Sequence, residues 1–205
     1  MTCYTIGHST RKLEDFIEII RSYGIDCVMD VRSNPYSNNN YTRAFDREIL
    51  EKAIKQSGIN YMYMGEELGN RRKRSNFDNI IKEDMFKKGI RKIVEGIRRG
   101  HNIVLMCSER NPFNCHRSIL LGYALKSNGV KVEHIIDENK SKTQERIEEE
   151  IFVTYEPDLK ENIVNLTLQE VLDNDDYDNI SEKEMKRKVI EEGYRRKWKE
   201  LKKIV

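Results

Sequence analysis

The sequence predicts an α/β protein, a Rossmann-like open parallel sheet of about five strands with flanking helices and a C-terminal helical extension. Three observations carry that expectation. Short apolar runs alternate with stretches whose apolar residues recur at helical spacing. Glycines close most of the helical stretches. The apolar runs lie about 25 to 45 residues apart, enough for the helical crossover that two parallel strands need.

Cys3-Tyr4-Thr5-Ile6 reads as a short buried strand, followed by a helix that Ser9 or Thr10 can cap, with Leu13, Phe16, Ile17 and Ile20 at helical spacing and Gly24 at its end. Residues 27–31 form the second strand. Residues 32–43, with Pro35 and the run Asn38-Asn39-Asn40, are expected to be an irregular loop. A helix through Ile49, Leu50, Ala53 and Ile54 stops at Gly58, and Tyr61-Met62-Tyr63-Met64 supplies the third strand. Residues 66–76 read as a polar, basic loop, and residues 86–99 as an amphipathic helix ended by Gly100. Ile103-Val104-Leu105-Met106 is the fourth strand, residues 115–126 the next helix, and residues 130–136 the fifth strand. Beyond residue 137 the pattern changes. A short helix is expected over 145–152, residues 158–178 are acidic and weakly patterned, and residues 181–204 form a charged helix. That helix gathers Met185, Val189, Ile190, Tyr194, Trp198 and Leu201 on one face, which predicts docking against the main body. The expected division is an α/β domain over 1–152 and an extension over 153–205.

A chain of 205 residues can bury a sizeable core. Its formal charge of +2 selects no partner class, so any charge signal is local. Two local signals exist: Arg71-Arg72-Lys73-Arg74, and the Lys- and Arg-rich stretch 183–203. No stretch approaches the roughly 20 apolar residues of a membrane span, and the first residues lack the pattern of a secretion signal. No membrane association and a cytoplasmic location are therefore expected. The four cysteines show no regular spacing, which argues for reduced thiols rather than a disulfide scaffold. Cys3 and Cys27 lie in apolar runs and read as core residues.

In an open parallel sheet, ligands bind at the carboxyl ends of the strands. The segments following the strands hold Gly7-His8-Ser9-Thr10, then Asp30, Arg32 and Pro35, then Gly65 and Gly69, and finally Cys107, Glu109, Cys115, His116 and Arg117. Most of the reactive side chains thus fall on one edge. A helix starting near Cys115 would present free N–H groups that lower a thiol pKa and attract an anion, and Arg117 would add a guanidinium. Cys107 is a candidate nucleophile with His8 or His116 as base, and Glu109 a candidate acid or base. The strand, cysteine, loop, arginine, helix order is similar to that of cysteine phosphatases and rhodaneses, but the separation of Cys107 from Arg117 disagrees with their short loop. A zinc site from Cys107, Cys115, His116 and His8, or a Cys107–Cys115 redox pair, are the competing readings of the same residues.

Four motifs, "YTIGHSTR", "DVRSNPYS", "YMGEELG" and "MCSERNPFNCHRS", followed by "VEHI", resemble in order and spacing those of the bacterial and archaeal family named domain of unknown function 488. The echo "EEGYRRKWKELKKI" resembles the tail of many members, while Asn70 and Ser108 depart from the usual residues. The resemblance implies functional roles for His8, Ser9, Thr10, Asp30, Arg32, Pro35, Gly65, Gly69, Cys107, Glu109, Cys115, His116 and Arg117, and implies no reaction.

The leading expectation is an enzyme with a Cys/His/Arg pocket for an anionic ligand, a nucleotide, nucleoside or nucleic-acid end. Arg32, Arg117 and the helix starts at Ser9 and Cys115 would hold the anion, Cys107 or Glu109 would react, and His8 would move protons. The alternative is a non-catalytic nucleic-acid-binding module that uses residues 71–74, the tyrosines and the basic C-terminal helix. Neither a cofactor nor an oligomeric state follows from these residues.

Overall fold

Strands β1 (Thr2–Gly7), β2 (Cys27–Asp30), β3 (Asn60–Tyr63), β4 (Ile103–Cys107), β5 (Lys131–Asp137) and β6 (Lys140–Thr143) form one sheet in the order β3-β2-β4-β1-β5-β6. The structure is a computed structural model that describes every residue except 38, 71–74, 174–180 and 204–205, and for residues 160–173 the backbone alone. All neighbours pair in parallel apart from β5 and β6. The all-apolar β4 is buried at every position and sits between β2 and β1, as expected of a strand covered on both faces. Its register sets Cys107 beside Gly7 and Met106 beside Asp30, so the carboxyl ends of three strands finish level.

Because side chains alternate across a sheet, β4 feeds two cores. Ile103, Leu105 and Cys107 face one cluster, and Val104 and Met106 face the other. The second cluster is closed by α1 (Leu13–Ser22) and α2 (Arg47–Gln56). The first is covered by α3 (Gly65–Leu68), α4 (Phe77–Lys82), α5 (Asp84–Arg98), α6 (Tyr123–Ser127), α7 (Gln144–Asp173) and α8 (Glu182–Leu201).

The architecture is the expected α/β sheet with flanking helices, and several local expectations give way to identifiable causes. A sixth strand forms from Lys140-Ser141-Lys142-Thr143, which carries no apolar residue; it hairpins onto β5 as an edge strand, where lysines guard against further pairing. Helix α1 starts at Leu13, not at Ser9 or Thr10, and its N-cap Lys12 makes no side-chain cap bond. The segment read as irregular holds a 3-10 helix, Asn40–Phe45, opened by the Asn39 side chain accepting from the Tyr41 N–H. Residues 65–68 turn once as α3, inside what reads as loop. The helix expected from residue 115 begins as a π-helical segment, Arg117–Gly122, before continuing as α6.

The short helix expected over 145–152 is the start of the much longer α7. Ile147, Ile151, Tyr155 and Leu159 recur every four residues and are all buried, so the apolar stripe runs past Pro157, which faces solvent. Helix α8 packs along α7 and buries Val189, Tyr194, Trp198 and Leu201, with Met185 and Ile190 against the same core. The docking face read from the sequence is the face observed. Gly193 permits the approach, since a Cβ there would stand 2.3 Å from Ile151 Cγ2. The basic cluster at 71–74 lies outside the described residues, as does part of the acidic stretch. Among the described residues no helix is long and apolar enough to cross a membrane.

Trp198 is 2% exposed and anchors this extension, so Trp198→Ala should cost about 3–5 kcal/mol. Urea unfolding followed by circular dichroism measures it. A loss below about 1 kcal/mol would mean that α8 does not share the core.

Candidate functional site

The residues after β4 fold back over the end of β1. Gly7 makes room for them: a Cβ at that position would stand 1.8 Å from the Glu109 carbonyl oxygen. The His8 N–H then donates to Cys107 O (2.9 Å) and the Ser9 N–H to Ser108 O (2.9 Å). Ser9 reaches this bond with φ of 49°, the left-handed region that costs a non-glycine residue about 1–2 kcal/mol. Ser9 therefore ties the loops together rather than starting a helix, and Thr10 is exposed beside it.

On the α5 face of the sheet, Cys107 Sγ lies 2.9 Å from Cys115 Sγ. The side chain of Arg117, 0% exposed, is aimed inward at this pair. Its Nη1 donates to Cys107 Sγ (2.8 Å) and to the Glu109 carbonyl, its Nη2 to Arg110 O (2.9 Å), and its Nε to Thr5 Oγ1 (3.2 Å). Among the described residues no carboxylate pairs with it. The compensating charge comes from the thiols. Burial pushes the Cys115 thiol up, but the hydrogen bond from Cys107, the Arg117 guanidinium and the Arg117 backbone N–H together bring it down to about 6. Cys107 is raised well above an ordinary thiol, by burial and by its bond to Cys115. These opposite shifts favour the negative charge on Cys115 and the proton on Cys107. His116 donates through Nε2 to Val31 O (3.2 Å), which leaves Nδ1 as an acceptor 3.7 Å from Cys115 Sγ. Burial lowers its pKa.

Arg117 is held from behind by a buried chain that the sequence did not single out. Thr5 Oγ1 contacts His134 Nδ1 (2.7 Å), and His134 Nε2 contacts Gln144 Oε1 (2.8 Å). The amide of Gln144 donates to Ser118 O (3.0 Å) and to Tyr194 Oη (2.8 Å). The Gln144 oxygen can only accept, so Nε2 of His134 carries the hydrogen, Nδ1 accepts from Thr5, and the Thr5 oxygen accepts from Arg117. Gly122 leaves the space, because a Cβ there would stand 2.1 Å from Gln144 Oε1.

On the opposite face, Asp30 is fully buried and accepts four hydrogen bonds: from Arg32 N (3.0 Å), Nε (2.9 Å) and Nη2 (2.6 Å), and from Tyr61 Oη (2.8 Å). His8 stacks on Phe45, donates from Nδ1 to Ser9 O (2.9 Å), and turns Nε2 toward Arg32 Nη1 (3.4 Å). Burial and then the Arg32 charge lower its pKa to about 4. A neutral imidazole whose free lone pair faces a guanidinium orients Arg32; the expected proton-moving role does not fit that contact.

The two clusters meet at a cleft of about 450 Å³ lined by Arg32, Ser33, Asn34, Asn70, Cys107, Ser108, Glu109, Asn114, Cys115, His116 and Leu201. Its first wall is pressed into place by two glycines. A Cβ on Gly65 would stand 2.1 Å from Arg32 O, and one on Gly69 would stand 2.6 Å from Ser33 Oγ. Pro35 anchors the same wall, accepting from the Arg47 N–H through its carbonyl (3.1 Å). Ser33 Oγ and Asn70 Oδ1 are buried on this wall without a partner among the described residues. Asn34, Asn70 and Asn114 give no signal in a single sequence, because asparagines in polar loops read as turn formers. Among the described residues no group of three or more His, Cys, Asp or Glu side chains is placed to hold a metal ion. His134 lies inside β5 and His101 at the surface beside Asp26 (3.3 Å).

A family model described as Domain of unknown function DUF488 matches residues 12–124. No curated protein matches the chain, and no solved structure does.

His134, fully buried, has its pKa lowered to about 3 by burial and then by the Arg117 charge. A histidine with a depressed folded pKa stabilises the fold fully above its unfolded value of 6.5 and loses that contribution as pH falls. Between pH 7 and pH 5 the loss from His134 is about 2 kcal/mol. Urea unfolding at the two pH values should show it, and His134→Gln should shrink the difference by about that amount. An unchanged difference would mean that the imidazole is not held neutral.

Proposed function

The chain belongs to the Domain of unknown function DUF488 family, and from that premise we propose that the cleft at its strand ends is a thiol-dependent active site for a small anionic ligand, a nucleotide or a nucleic-acid end. The observation that carries the reading is the thiol pair charge-balanced by Arg117 and opening onto the same cleft as Arg32. A thiolate is the nucleophilic form of cysteine, and Cys115 is the thiol whose surroundings favour it at neutral pH.

Ligand polarity follows from the walls. Arg32 supplies a guanidinium whose Nε and Nη2 are fixed by Asp30, leaving Nη1 toward His8 and the cleft. Arg110 is exposed after β4, and Arg11 is held at the same edge by the Gly7 and Ile136 carbonyls, so two further guanidinium groups stand near the strand ends. The three asparagines and Ser33 offer paired donors and acceptors of the kind that read a planar heterocycle or a phosphate ester. Arg117 serves the thiols in this reading and does not touch the ligand, because each of its nitrogens is already bonded inward. His116, whose Nδ1 lies 3.7 Å from Cys115 Sγ, and Glu109, exposed at the rim, are the groups beside the thiols able to exchange a proton with a bound ligand.

Iodoacetamide labelling of the intact protein against pH tests this. Cys115 should label with a midpoint near pH 6. Nucleoside monophosphates or 5′-phosphorylated oligonucleotides should slow labelling, and Asn114→Asp should weaken that protection about tenfold. Labelling that no anion in the panel slows, at any pH, would sink the proposal.

A further inference from the structure

The two sulfurs are nearer to each other than a nucleophile and a spectator thiol need to be. We infer that Cys107 and Cys115 form a reversible dithiol/disulfide couple, oxidised by a small hydroperoxide that enters through the cleft. The inference stands on the thiol geometry alone and requires no anionic ligand.

The backbone has already paid for closure. Cys107 ends β4, and Cys115 follows a 3-10 turn, Pro112–Asn114, in which the Cys115 N–H donates to Pro112 O (3.0 Å). On the other side, the N–H groups of Ser118 and Ile119 donate to Cys115 O (3.2 Å each). Both cysteines are therefore fixed by hydrogen bonds independent of their side chains. The sulfurs stand 2.9 Å apart, so a bond of about 2.05 Å needs a movement of under about 1 Å. Each cysteine is 2% exposed and each lines the cleft of about 450 Å³, so a small hydroperoxide reaches the sulfurs through it. Cys3 and Cys27 sit at the other end of the sheet, at the beginnings of β1 and β2, and line no part of this cleft.

The chemistry balances with the groups present. The Cys115 thiolate attacks one oxygen of the hydroperoxide, forming S–O and breaking O–O; the departing alkoxide, or hydroxide from hydrogen peroxide, takes the proton that Cys107 had shared with Cys115. The charge now rests on Cys107, where Arg117 Nη1 already lies 2.8 Å from the sulfur. Cys107 attacks the sulfenic sulfur, S–S forms, S–O breaks, and the departing hydroxide takes one proton from the buffer, replacing the proton that Cys115 released on ionising, to leave as water. One hydroperoxide is reduced to an alcohol, or to water, and one water; two cysteines are oxidised to a disulfide. The same guanidinium neutralises the anion before and after the transfer. That is the reason for an arginine, rather than a carboxylate-paired cation, behind the pair.

The reduced full-length protein is treated with hydrogen peroxide at neutral pH, without ligand, and its free thiols are counted after denaturation. Of the four cysteines, Cys107 and Cys115 should be lost together, and a linked peptide containing both should appear, about 2 Da lighter than the reduced pair and restored by dithiothreitol. Cys107→Ser should stop at a sulfenic acid on Cys115 that dimedone traps. Cys115→Ser should slow peroxide consumption at least about tenfold. Wild-type thiols reacting no faster than free cysteine, or a disulfide that involves Cys3 or Cys27, would overturn the inference. The wild-type mapping decides the matter even if a serine variant fails to fold.

Discussion

A buried guanidinium with no carboxylate partner among the described residues lies beneath the strand ends. Removing a charge from water costs several kcal/mol even after the surroundings relax, and Arg117 is completely removed. Three of the compensating contacts are neutral: the carbonyls of Glu109 and Arg110 and the hydroxyl of Thr5. Neutral acceptors solvate a cation but do not cancel it. The remaining contact is the sulfur pair, and one negative charge shared there lets the burial be tolerated. In the reduced protein the negative charge favoured at the thiol pair thus offsets the buried guanidinium. The raised pKa of Arg117 is the same statement from the other partner: burial would lower it, and the charges on Cys107 and Cys115 more than reverse that.

This coupling explains why the C-terminal helices and the strand ends cannot be treated as separate pieces. Tyr194, on α8, accepts from the Gln144 amide and donates to Glu148 (3.3 Å). Gln144 begins α7 and orders the His134 tautomer, and His134 fixes the Thr5 hydroxyl that Arg117 needs. Every donor in this chain has one possible direction, and breaking one link leaves a buried polar group costing about 1–3 kcal/mol. The network therefore transmits orientation from the last helix to the thiols, with Gly122 and Gly193 providing the two close approaches that let the helices reach it.

What the sequence made legible follows from the kind of force involved. Strands and crossover helices were readable because burial imposes a period, as in the alternating faces of β4 and the face of α8 that holds Val189, Tyr194, Trp198 and Leu201. The gathering of Asp30, Arg32, Cys107, Cys115 and His116 at one edge was readable because parallel strands align their carboxyl ends. Elements shaped by hydrogen bonding alone were not. β6 lacks apolar residues, the 3-10 helix at Asn40–Phe45 is opened by one asparagine, and the π-helical opening of the helix after Cys115 leaves no periodic trace. Pro157 and the acidic residues around it hid the length of α7, although its four-residue apolar stripe continues through them. Thr5 and Gln144 were invisible for another reason: a polar residue in or beside a strand shows its partner only in three dimensions.

The two polar clusters on either side of β4 have opposite electrostatic logic, and the difference assigns their roles. Asp30 and Arg32 form a closed pair with every carboxylate oxygen satisfied twice, an arrangement that holds a loop in place. The thiol pair is open: it carries one proton for two sulfurs, so its charge can move from Cys115 to Cys107 without leaving the reach of Arg117. A rigid cation on one wall and a mobile anion on the other suit a site that binds with Arg32 and reacts with sulfur. Exchanging the roles would require Arg32 to release Asp30 into a buried, unpaired state, at a cost of about 3–5 kcal/mol. On the proposed function, the asymmetry between closed and open ion pairs, more than the presence of any one residue, is what sets the cysteine face apart as the one to react.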